Sequence, residues 1–128
     1  MNLLEEREYY KPFSYPWAFE KYKKQQQMHW LPDEVPLQDD IKDYNQKLTD
    51  DERLLIDNIF RFFTQADVDV CCGYAKHYLP TFKQPEVRMM LVSFAAMEAV
   101  HQEAYSLLLE TLGKSDDMYQ EFFDIQAM

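Results

Sequence analysis

From Thr49 onward, apolar residues recur at three- and four-residue spacings: Leu55, Ile59, Phe62, Phe63, Ala66, Val70 and Tyr74. That spacing returns side chains to one face of an α-helix and predicts an amphipathic helix. Thr49-Asp50-Asp51-Glu52 in front of it is a capping-box pattern, and Pro80 ends the run after about 30 residues. Pro85 suits the first turn of a second helix. Met89, Val92, Phe94, Ala96, Val100, Ala104, Leu108 and Leu112 carry that helix to Gly113, a residue fit for a C-terminal cap. Beyond it the tail begins as a loop. It then takes up a helix-like pattern that runs through Ile125-Gln126-Ala127-Met128 without a cap, an ending that does not read as a natural domain boundary.

The first 48 residues have a different texture. Four of the six prolines, Pro12, Pro16, Pro32 and Pro36, fall there, and proline fixes φ and interrupts helices. This predicts a largely extended arm over 1–48 with one short helix from Trp17 to His29, and a turn at Leu31–Pro36. The long helices begin in 49–128. The short connection between them implies an antiparallel pair. Two helices cannot surround a core by themselves, so the chain either pairs with another chain or is a fragment.

Composition narrows the class. At 128 residues there is one domain at most. Two glycines and 16% aromatic residues favour an all-α fold over a tight-turned sheet. A net charge of −10 disfavours a nucleic-acid partner, which calls for a basic surface. No apolar run is long enough to cross a membrane, and the first residues, MNLLEEREYYKP, hold no stretch of signal-peptide length. Cys71 and Cys72 are adjacent. Neighbours on a helix point about 100° apart and cannot form an ordinary disulfide. The expectation is a reduced, cytoplasmic protein in which both cysteines pack in the core.

Glu98 and His101 form Glu-x-x-His on the second long helix. A three-residue step places both on one face, where they can meet one metal ion. Dimetal helical bundles use this unit: two helices each give a carboxylate, and two each give Glu-x-x-His. Asp67 is a candidate for a lone carboxylate, since a mid-helix Asp in the apolar stretch RFFTQADVDV needs a reason. Asp69 points elsewhere and should be exposed or salt-bridged. Tyr105, four residues past His101, shares the face of Glu98 and His101, and a tyrosine beside a redox metal can be oxidised. The same residues also admit a plainer account: a solvated Glu98, a core histidine at 101, and a Tyr105 that packs as one of nine tyrosines. His29 and His77 suit the surface.

Three segments, YPWAFEKYKKQQQMHWLPDEVP, RFFTQADVDV and SFAAMEAVHQEAYSLLLETLG, together spanning nearly the whole chain, resemble the small, radical-generating subunit of class I ribonucleotide reductase. The resemblance implies a ferritin-like helical bundle, of which 49–128 would be the first half. It implies that Asp67 and His101 are terminal ligands of the metal nearer the tyrosine, and that Glu98 bridges two metals. Tyr105 matches the tyrosine oxidised to a stable radical when the reduced metals react with oxygen. Trp30 matches the tryptophan that relays the radical, through the metal-bound histidine, toward the large catalytic subunit, where ribonucleotides become deoxyribonucleotides. The implied cofactor is a dinuclear centre of iron, with manganese equally suited to these ligands. The implied partners are the large subunit and a second copy of the small one.

The chain departs from that family in length. The second carboxylate helix, the second Glu-x-x-His helix and the C-terminal tail that docks on the large subunit are missing, leaving three of six protein ligands. The favoured expectation is a split subunit completed by a chain carrying the C-terminal half, with metal binding coupled to assembly. A truncated or partly known chain reads the same way. The alternative is a homodimeric ferritin-like iron carrier, in which two copies supply six ligands. Trp30, Tyr105 and the arm have no use in storage. A third reading is a non-catalytic helical module with a decayed site.

Overall fold

The computed structural model describes residues 2–124. Among the described residues the regular elements are all helical: α1 (Pro16–Gln27), α2 (Gln38–Gln46), α3 (Asp50–Gly73), α4 (Leu79–Thr81), α5 (Pro85–Thr111) and α6 (Asp117–Glu121). Short 3-10 turns occupy Pro32–Glu34 and Phe122–Asp124, and a π-turn, Tyr74–Tyr78, joins α3 to α4. The fold class is the all-α one expected from the spacing. The last four positions, over which the tail pattern was expected to continue, lie outside the described residues.

Local chemistry sets the helix ends. At the start of α3 the Glu52 N–H donates to Thr49 Oγ1 at 3.3 Å, and the Thr49 N–H donates to the Glu52 carboxylate at 2.8 Å, which is the reciprocal capping box. α5 ends on Gly113, whose φ of 78° suits a residue without Cβ. The Gly113 N–H reaches the Glu110 carbonyl at 2.9 Å and the Lys114 N–H reaches Leu109 at 3.0 Å, the paired bonds of a Schellman end. Pro80 does not stop the first long helix as expected; the helical path runs on to Thr81. The Leu79 N–H bonds back five residues to Tyr74, and Pro80 then falls in the first turn of α4, where its missing N–H leaves little unmade.

The chain forms two compact units. The first combines Met1–Trp30 with Asp69–Ala99. Ala18 of α1 packs with Val87, Met90 and Leu91 of α5, flanked by Tyr15, Tyr22, Tyr74, Leu79, Phe82 and Phe94. The segment before α1 is pinned to the start of α5 by two buried side chains. Gln84 donates to the Glu5 carbonyl at 2.6 Å. Glu86 pairs with Arg7 and accepts the Ser14 and Tyr15 N–H groups, each at 2.9 Å. Arg7 in turn donates to the carbonyls of Tyr9, Tyr10 and Pro12.

The second unit combines Leu31–Val68 with Val100–Met128. It holds a helix that the proline-rich arm was not expected to contain, α2. Leu37, Ile41, Tyr44 and Leu48 stand at helical spacing there and are all at least half-buried. The Tyr44 hydroxyl donates to Asp57 on α3 at 2.8 Å, and Lys114 closes the cluster by pairing with Asp57 at 2.6 Å. Leu109, Met118 and Phe122 are also buried in this unit.

The stripe that defined the first long helix does not mark its covered face. Leu55 is 60% exposed, Ile59 39% and Phe62 43%, while Thr64 is buried. The covered side lies about 100° round the helix, along Ile56, Phe60, Thr64 and Asp67. Likewise Val92 of α5 is exposed, whereas Val87, Met90, Leu91, Met97, Val100 and Leu109 are buried. Of the cysteines, Cys71 is half-buried and donates to the Ala95 carbonyl, but Cys72 is exposed and so is no core residue.

Candidate metal centre

Within the second unit α3 and α5 run antiparallel. Phe60 and Phe63 meet Tyr105, and one turn along α3 the Asp67 carbonyl meets Gln102, earlier on α5. This brings Asp67 level with His101. Glu98 precedes His101 by three residues on the same unbroken helix, so helical geometry places it one turn away on the same face. A ligand atom from each of Asp67, Glu98 and His101 lies within 4.8 Å of the others, and all three residues are half-buried. The face they occupy on α5 opens with apolar Val87, Leu91 and Phe94 and turns polar at Glu98, His101 and Tyr105.

The donor set is two carboxylates and an imidazole, which suits iron or manganese. Two ligands held about 2.1 Å from one ion stand no more than about 4.2 Å apart. The three donors therefore need only small side-chain adjustments to meet one ion or a closely spaced pair, and the residues fit the implied metal. Burial first, then the negative charges of Glu98 and Tyr78, push the Tyr74 hydroxyl above the ordinary phenol range.

Tyr105 is half-buried and lies against two rings of α3. Phe63 stacks on it with centroids 5.7 Å apart and planes 16° from parallel, and Phe60 lies 6.1 Å away. Trp30, three residues past α1, is half-buried at the end of the first unit's N-terminal segment. Asp69, His29 and His77 are all exposed, as expected. Gln102 and the pairing of Phe60 with Tyr105 were not anticipated. Phe60 sits seven residues before Asp67, two turns back on its face, and that spacing was the available signal. Gln102 had none, because its acceptor is a backbone carbonyl.

A family model described as "Ribonucleotide reductase, small chain" matches residues 7–127. Two viral proteins are similar over all 128 residues. The "Probable ribonucleoside-diphosphate reductase small subunit 376L" of Invertebrate iridescent virus 6 is 52% identical, and its counterpart 048L of Invertebrate iridescent virus 3 is 45% identical. The ribonucleoside-diphosphate reductase small subunit of Dictyostelium discoideum is 34% identical over 113 residues, 88% of this chain. The chain spans 36%, 34% and 33% of these three relatives, about a third of their length. Among solved structures, the ribonucleotide reductase Rnr4 homodimer of Saccharomyces cerevisiae matches with a TM-score of 0.84 at 23% identity. The match covers 97% of this chain and 41% of that one. At that identity the likeness bears on the fold, and it agrees with a ferritin-like bundle of which this chain holds a part.

Proposed function

The chain belongs to the ribonucleotide reductase small-chain family, and on that premise we propose that it supplies half of a dimetal centre and the tyrosine that centre oxidises. The observation that carries this reading is the convergence of Asp67, Glu98 and His101 within 4.8 Å, with Tyr105 one turn beyond His101 on α5. Asp67 and His101 would hold the metal nearer Tyr105, and Glu98 would bridge to the second. Bound there, the metal pair supplies the oxidising power, from oxygen, that a phenol side chain needs to lose an electron. Tyr105 would be that phenol, its electron and hydroxyl proton passing to the oxygen that is reduced. Phe60 and Phe63 lie against its ring and hold its plane. Trp30 would relay the oxidising equivalent to the large subunit, where ribonucleotides are reduced to deoxyribonucleotides.

Three ligands make half a centre. A second chain carrying the C-terminal half of the family fold would supply the rest, and the assembled subunit would dimerise. The exposed Leu54, Leu55, Ile59 and Phe62 on α3 support that reading, since they offer an apolar surface that further helices could cover. No helix among the described residues is long and apolar enough to cross a membrane, and the −10 charge gives no basic surface for nucleic acid. The cytoplasm is the proposed location.

The test is isolation of the chain from its native source with whatever accompanies it, followed by mass spectrometry and metal analysis. A companion polypeptide carrying a carboxylate helix and Glu-x-x-His, with about two metals per pair, supports the split subunit. The chain alone, as a dimer holding two metals, would replace it with the ferritin-like carrier.

A further inference from the structure

The amide of Gln102 reaches across from α5 and donates from Nε2 to the backbone carbonyl of Asp67 at 3.2 Å. Gln102 is the residue after His101, so its side chain leaves the helix about 100° from the imidazole. Thus His101 addresses the candidate metal while its neighbour holds the backbone of the residue that brings the facing carboxylate. A carbonyl has two lone pairs, so Asp67 can accept this bond and still serve the ladder of α3. The contact is part-buried, where an amide hydrogen bond is stronger than it is in water. It joins the two ligand-bearing helices at the level of the ligands themselves.

We infer that Gln102 is a positioning residue for the metal centre: its bond to the Asp67 carbonyl sets the height of α3 against α5, and so the separation of the Asp67 carboxylate from the His101 imidazole. The inference rests on the dimetal reading of Asp67, Glu98 and His101. The Phe60 and Phe63 rings offer Tyr105 no directional bond, and the Cys71 thiol bond to the Ala95 carbonyl, one turn beyond Asp67, is a weak one at 3.7 Å. A hydrogen bond is directional and tolerates less. Partners that orient metal ligands without touching the metal typically contribute 10- to 100-fold to affinity.

The test is titration of the full chain, with any polypeptide that accompanies it, with Co2+, whose visible bands report coordination geometry. Gln102→Met keeps the side-chain length and removes the donor. The expected result is affinity about tenfold weaker and shifted bands, with the melting temperature of the metal-free protein nearly unchanged. Gln102→Lys restores a donor of similar reach and should recover the wild-type band positions. Unchanged affinity and bands in Gln102→Met would overturn the inference, as would a lowered melting temperature with wild-type affinity, which marks an ordinary structural contact. Failure of the wild-type protein to take up Co2+ would instead remove the dimetal reading, and this inference with it.

Discussion

Replacing Arg7 by Met should loosen the N-terminal segment from α5 by about 3 kcal/mol at pH 7. The Arg7 and Glu86 side chains are both wholly buried. Glu86 accepts from Arg7 and from the Ser14 and Tyr15 N–H groups, and Arg7 donates to the carbonyls of Tyr9, Tyr10 and Pro12. Burial tends to raise the Glu86 pKa, but backbone N–H donors and Arg7 outweigh it and hold the carboxyl below its ordinary 4.5. Without Arg7 the carboxylate keeps its backbone donors and loses its counter-charge, a change that in buried pairs costs about 3–5 kcal/mol. Protonation sets a ceiling: taking a carboxyl of ordinary pKa 4.5 to its neutral form at pH 7 costs about 3.4 kcal/mol. At pH 5 that ceiling drops to about 0.7 kcal/mol. The carbonyls that lose Arg7 belong to the exposed residues Tyr9, Tyr10 and Pro12, so they can turn to water and add little. The readout is hydrogen exchange at the Ser14 and Tyr15 amides, whose acceptor is Glu86. Exchange in Arg7→Met should be about 100-fold faster at pH 7. At pH 5, corrected for intrinsic rates, the excess should shrink to several-fold. In the wild type the sign runs the other way: the Glu86 contribution is complete above pH 4.5 and fades as pH falls through the lowered folded-state value. A pH-independent difference between variant and wild type, or one below fivefold at pH 7, would refute the argument.

His101→Ala should abolish metal uptake; unchanged metal content in the assembled protein would remove it from the ligand set. Tyr105→Phe should keep the metals and lose the electron paramagnetic resonance signal of a tyrosyl radical, and a persisting signal would place the radical elsewhere. Trp30→Phe should keep that signal and stop turnover with the large subunit, so retained turnover would take Trp30 off the relay. In the Tyr44–Asp57–Lys114 cluster, burial outweighs the Lys114 contact and raises the Tyr44 pKa. Burial tends to lower Lys114, but its bonds to Asp57 and Tyr44 leave it raised. Both groups therefore contribute stability that is whole below pH 10 and falls as pH rises through their folded-state values. Lys114→Met should remove the Lys114 share of the alkaline arm of the melting-temperature profile and leave that of Tyr44, and an unaltered arm would exclude Lys114 as a contributor.

What the sequence disclosed was what neighbours along the chain determine. The capping box at Thr49–Glu52 and the Gly113 end are built from residues within one turn of each other, and both formed as expected. Glu98 and His101 share a turn of one helix, so their common face was readable too, and the Asp67 alignment came with the family resemblance. The orientation of α3 was not readable, because its most regular apolar stripe, Leu55–Ile59–Phe62, is the exposed one. Periodicity reveals that a face is apolar, not which body covers it. α2 was hidden by emphasis on proline; Leu37, Ile41, Tyr44 and Leu48 carried its signal, and the tie from Tyr44 to Asp57 anchors it.

The π-turn at Tyr74–Tyr78 has a consequence for how such a chain can vary. A five-residue turn absorbs one residue more than a regular helical turn and so preserves the phase of everything after it. With it in place, Leu79 and Phe82 pack on the core of Ala18, Val87, Met90 and Leu91. Deleting one residue there would restore an even helix and leave Leu79 and Phe82 close to their places on that core, because the turn takes up the extra residue locally. The turn is thus a one-residue gap filler between the Asp67 helix and the Glu98–His101 helix. In an alignment of kindred sequences, single-residue length differences should collect between Gly73 and Leu79, leaving the stretches around Asp67 and Glu98 free of gaps.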